Sequence, residues 1–241
     1  MNSSKNMMLN NRLKLLDKLV DFINDIGNSY VDLASKETDL GLKNRHLYLA
    51  HTLLSTEKMT SFVSYGVEKR DRILIMTGLR MLLENHANIA YIFKDLDKID
   101  EGISKVLASG LQYQQAFRDI RMDPDLGVQH LTSVPRWTRR SITGRVQLLG
   151  EGPEFRYELA SKYLHSDIWV LLNDTDVIDS DGYHFGLVSG ALEDLYEPIR
   201  RLYEIGILPE GFESVFEDIL IDVLEEINID PSQTYVDVDR L

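Results

Sequence analysis

The residues with the most chemical potential lie between Arg136 and Asp167, in RWTRRSITGRVQLLGEGPEFRYELASKYLHSD. In its second half Glu158, Ser161 and His165 are three, four and seven apart, so on a helix a carboxylate, a hydroxyl and an imidazole share one face. His165 could then act as general base, general acid or phosphate ligand, or simply donate to a backbone carbonyl. No hydrolytic triad is implied, because Ser161 and His165 have no third member or oxyanion donors on that helix. In the first half Arg136, Arg139, Arg140 and Arg145 occur in a stretch free of acids between Asp125 and Glu151. Such a cluster can hold one phosphate or one RNA end, with Trp137 placed to stack on a base. Equally, it can serve as the basic counterpart of the acidic last third of the chain.

A second polar stripe runs through RILIMTGLRMLLENHANIAYIFK, residues 72–94, the most apolar helical segment. Arg80 and Glu84 are four apart, and Tyr91, eleven beyond Arg80, returns to within about 20° of its direction. The stripe is either a buried Arg-Glu pair that locks helix register or an arginine facing a ligand with Glu84 bracing it. His86 and Asn88 point elsewhere on the same helix. Metal binding has little support: the six histidines are scattered, and Asp174, Asp176, Asp179 and Asp181 lack EF-hand spacing. Walker and dinucleotide glycine loops are absent, so no metal or cofactor is expected.

The combination of LRMLLENHANIAYIF, RWTRRSITGRVQLLG and FRYELASKYLHSD resembles an uncharacterised bacterial helical family known only as a domain of unknown function. The matching positions are Arg80, Glu84, Trp137, Ser141, Tyr157, Ser161 and His165, across about residues 79–167. The resemblance implies that Arg80, Glu84 and His165 belong to one site. Arg80 and His86 also fit the loose Arg-x(4-6)-His pattern that resembles the HEPN superfamily of helical ribonucleases, although Met81 stands where that family usually has a polar residue. That likeness implies His86 as base on an RNA 2'-hydroxyl and Arg80 as the stabiliser of the phosphorane. Two functions are therefore expected in competition. One is a binding or interaction module, in a defence-related setting, with Arg80, Glu84, Arg139, Tyr157, Ser161 and His165 receiving an anionic ligand or RNA end. The other is a metal-independent ribonuclease using Arg80 and His86.

The elements that must position these groups are helices. Leu9, Leu13, Leu16, Val20, Ile23, Gly27, Tyr30 and Ala34 alternate four and three apart, with Leu15, Leu19, Phe22, Ile26 and Leu33 widening the stripe. Further helices are expected over residues 42–65, ending near Gly66, and over 72–94 and 98–121. A loop enclosed by Asp123-Pro124 and Val134-Pro135 follows. Thr138 is the expected cap of a short helix to Leu149, and Pro153 the first residue of a helix reaching Asn173. A polar turn to Gly182, a helix over 185–205 kinked or divided by Pro198, and a last helix with Phe212, Val215, Phe216, Ile219, Leu220, Val223, Leu224 and Ile227 on one face complete the chain.

The expected fold is all-α, a single bundle of seven or eight helices over residues 9–229, between a flexible N-terminus, 1–8, and a tail, 230–241. The chain of 241 residues has a net charge of -13 and no cysteine, which removes disulfides and thiolate chemistry. The acidity belongs to residues 167–241, with 19 acids against three bases, and makes a general nucleic-acid binder a poor fit. A polar first segment and the lack of an apolar run of ~20 residues lead to a cytoplasmic expectation, with no membrane partner. The long first helix and the apolar face of the last lead to a homodimer as the expected assembly.

Overall fold

The computed structural model describes residues 2–123, 129, 140–164 and 181–227, and the fold is all-α. The helices are α1 Asn2–Lys36, α2 Leu40–Leu54, α3 Thr56–Lys69, α4 Arg72–Ile92, α5 Ile99–Met122, α6 Ile142–Val146, α7 Glu151–Leu164, α8 Asp181–Glu204 and α9 Glu213–Ile227. Short 3₁₀ turns occupy Leu96–Lys98 and Gln147–Leu149. Among the described residues no helix is long and apolar enough to cross a membrane.

The four-three stripe of α1 is what the core is built on. Leu16, Leu19, Ile23, Ile26 and Tyr30 are fully buried against α2 and α8, and each large apolar side chain removed from water contributes about 1.5 to 3 kcal/mol before entropy is subtracted. Leu33, at the margin of the stripe, is instead exposed. The Tyr30 hydroxyl donates to the Ile207 carbonyl at 2.5 Å, tying α1 to the turn after α8.

The expected single helix over 42–65 is two helices broken at Ser55. Ser55 Oγ donates to the Thr52 carbonyl and Thr56 Oγ1 to the Leu53 carbonyl, and such back-bonding hydroxyls compete with the helical ladder and bend it. Nor does Gly66 end the helix; α3 continues to Lys69 and closes on Arg70 in the left-handed region, φ 54°. Gly66 and Gly78 face the α3–α4 contact, where a Cβ on Gly66 would lie 2.7 Å from Ile75 Cγ1 and one on Gly78 2.7 Å from the Met59 carbonyl oxygen. These two glycines let the helices approach more closely than any side chain would allow.

α4 starts where Asp71 accepts from the Leu74 amide at 3.2 Å, and it is central as expected, packing on α3, α6, α7 and α8. Three other boundaries differ from expectation. Ser141, not Thr138, caps α6, its Oγ accepting from the Gly144 amide at 3.1 Å; Thr138 lies outside the described residues. α7 begins at Glu151, which places Pro153 third, where its missing N–H still costs no helical bond. α8 starts at Asp181, inside the expected polar turn, and runs unbroken through Pro198 because Leu195, Tyr196, Ile199 and Leu202 are buried on both sides of it. The expected loop after Pro124, the helix beyond Leu164 and the tail lie outside the described residues.

α9 closes the monomer's own core. Phe216 stacks on Phe22 and Tyr196, with ring centroids 6.4 and 5.8 Å apart, and Ile219 and Val223 are buried beside it. Val215, expected on that face, is exposed.

Candidate functional site

Two polar clusters meet α7 at consecutive residues. The first is built on the α4 stripe. Arg80 Nε donates to Glu84 Oε1 at 3.0 Å, Arg80 Nη2 approaches the Tyr157 hydroxyl at 3.5 Å, and that hydroxyl lies 3.4 Å from the same Glu84 oxygen. The guanidinium carbon is 5.4 Å from the centre of the Tyr157 ring, a cation–π distance. Helical spacing aligns Arg80 with Glu84, and the packing of α7 on α4 through Leu83, Ala87, Val146 and Tyr157 brings in the tyrosine. Burial works against the Arg80 charge, but the hydrogen bonds to Glu84 and Tyr157 outweigh it and hold the guanidinium above its ordinary pKa. The cluster is half-open: 25% of the Arg80 side chain and 36% of Glu84 remain accessible.

Arg145, from the arginine-rich stretch, is 8% exposed and comes from α6 to the neighbourhood of Glu84. Desolvation lowers its pKa, opposed by Tyr48, Glu84, Tyr91 and Tyr157, so a second guanidinium stands close to the first cluster. Arg140, by contrast, is exposed, and Arg136, Arg139 and Trp137 lie outside the described residues.

The face expected to join Glu158, Ser161 and His165 is only partly described. Glu158 is exposed and takes no part in the Arg80 cluster, whereas Ser161 Oγ is buried with no hydrogen-bond partner among the described residues. His165 lies outside them. Of the six residues expected to share a site, the structure brings together Arg80, Glu84 and Tyr157.

The second cluster was not foreseen. His86, on another face of α4, places Nδ1 3.2 Å from Asp194 Oδ1. A carboxylate only accepts, so this contact needs the imidazole proton on Nδ1. Arg156 Nη2 donates to the same oxygen at 3.1 Å, and Arg156 Nη1 pairs with Glu193 Oε2 at 2.8 Å. The Asp194 side chain has no solvent exposure. Burial opposes the Arg156 charge, yet Asp194 and Glu193 hold its pKa above the ordinary value; burial pushes Glu193 up despite Arg156. The arginine can cross α8 only because Gly190 lacks a side chain, since a Cβ there would sit 2.7 Å from Arg156 Cδ. His86 therefore faces Asp194, with no hydrogen bond to Arg80 among the described residues.

The signal for Asp194 was present in the α8 periodicity. It stands seven residues after Leu187 and three after Ala191, both buried, so it lies on the core face. Among the described residues no group of three or more metal-capable side chains converges. Searches against family models, curated proteins and solved structures find no match to this chain.

Proposed function

We propose that the protein is a binding module whose Arg80–Glu84–Tyr157 cluster receives an anionic ligand or an RNA end. The observation that carries this reading is the state of the Arg80 guanidinium. Two of its five donors are engaged by Glu84 and Tyr157, the rest have no protein acceptor among the described residues, and a quarter of the side chain is open to solvent. An arginine held rigid by a carboxylate and an aromatic ring, with donors to spare, is prepared for an oxyanion. The buried charge of Arg145 close by adds to the same field. Ser161, Arg139 and His165 complete the proposed ligand set.

The ribonuclease reading is favoured by one observation, the contact of His86 Nδ1 with Asp194, which fixes an imidazole in the manner of a general base. The two readings separate in one experiment with labelled single-stranded RNA carrying either a 5'-phosphate or a 5'-hydroxyl. A binding module retains the phosphorylated RNA at least tenfold more tightly and leaves it intact. Cleavage that persists in chelator and disappears in His86→Ala would replace the binding module with the ribonuclease.

A further inference from the structure

Away from both clusters, α1 and α3 form an open groove of about 600 Å³. Leu13 from α1 and Tyr65 from α3 give it apolar surface, with the buried Val20 beneath, and Tyr65 is 53% exposed. Asp17 and Asp21 line one wall and Glu57 and Glu68 the other, with no Lys, Arg or His among the lining residues. Asp17 and Asp21 are one helical turn apart, a repulsive like-charge spacing. Burial first and Asp21 second push the Asp17 carboxyl above its usual range. Asn24 Oδ1 and Ser64 Oγ, one on each wall, are buried atoms with no hydrogen-bond partner among the described residues.

The α1 wall repeats at Leu13, Asp17, Val20 and Asn24, a four-three-four spacing that normally faces a further helix. At 1.5 Å per residue it is about 16 Å long, three helical turns. We infer that this groove docks a basic amphipathic helix of about twelve residues from a partner protein. The helix would lay apolar side chains on Leu13 and Tyr65 and lysines or arginines against Asp17, Asp21 and Glu57, Glu68 being already paired with Lys69 at 2.5 Å, the helix-in-groove mode of recognition. Charge selects this occupant: the acidic walls repel a nucleic acid and complement a basic helix.

The test uses the full chain and a fluorescein-labelled 14-residue Leu/Ala/Lys peptide with its apolar residues at helical spacing, against a scrambled peptide of equal composition. Anisotropy titration at low salt is expected to show at least tenfold tighter binding of the helical-face peptide. Asp17→Asn/Asp21→Asn/Glu57→Gln and, separately, Tyr65→Lys should each weaken it at least tenfold, whereas Glu213→Gln/Asp218→Asn/Glu225→Gln on exposed α9 positions should leave it unchanged. Circular dichroism verifies that each variant is folded, and Tyr65→Lys keeps the test available should the triple variant fail to fold. Absence of binding, equal binding of the scrambled peptide, or equal loss in the α9 variant overturns the proposal. So does a wild-type dimer that the groove substitutions dissociate, since it would assign the groove to a second copy.

Discussion

Arg156 and Tyr157 are adjacent in sequence, yet they enter polar clusters of opposite character. Arg156 reaches α8, where Asp194 is sealed from water and serves both the arginine and His86 through a single oxygen. Tyr157 turns to α4, where Arg80 and Glu84 keep part of their surface in solvent and Arg80 keeps donors in reserve. The sealed cluster uses charge to fix how three helices sit together. The open one carries charge that the fold itself does not consume. An arginine and a glutamate occur in both clusters, which differ in burial and in how many donors are already satisfied.

The comparison is broken most forcefully from the sealed side. Asp194→Ala leaves a guanidinium without its buried partner and is expected to cost about 3 to 5 kcal/mol in urea or thermal unfolding. A loss below about 1 kcal/mol would mean that the network is not a structural element. Gly190→Ala drives a Cβ into an arginine pinned at its far end, with an expected cost of about 1 to 3 kcal/mol by the same measurement. Arg80→Ala should cost about 1 kcal/mol or less, since both partners are partly solvated.

Glu193→Gln sharpens the comparison with the smallest effect. Because the folded carboxyl is raised, the folded state favours its protonated form, and that contribution is lost as pH rises through the folded value. The amide should therefore be more stable than wild type near neutrality by less than about 1 kcal/mol, after solvent screening of a side chain 35% exposed. The advantage should fade as pH falls through the raised value, which unfolding curves at several pH values would show.

How much of this could be read from the chain differs by physical cause. The helix around Arg80 was legible because an apolar run and a four-residue Arg-Glu spacing are both local. The break at Ser55 was not, because serine and threonine hydroxyls bond back to the helix in a run whose apolar periodicity continues through them. Glu84 and Tyr157 are 73 positions apart, and no local pattern encodes the packing of α7 on α4. Asp194 was hidden by its surroundings, an acid among the acids of the last third, although its place on the apolar face of α8 marked it. The burial of Arg145 was not legible in its arginine-rich stretch, since the packing that buries it comes from α4, far away in sequence.

The most direct test of the open cluster as a ligand site is the anisotropy-measured affinity of Arg80→Ala for 5'-phosphorylated single-stranded RNA, taken on protein with its unfolding midpoint measured in parallel. Binding at least tenfold weaker than wild type, with a stability loss of about 1 kcal/mol or less, is the expected result. Unchanged affinity, or a stability loss as large as that of Asp194→Ala, would contradict it and make both clusters parts of the scaffold.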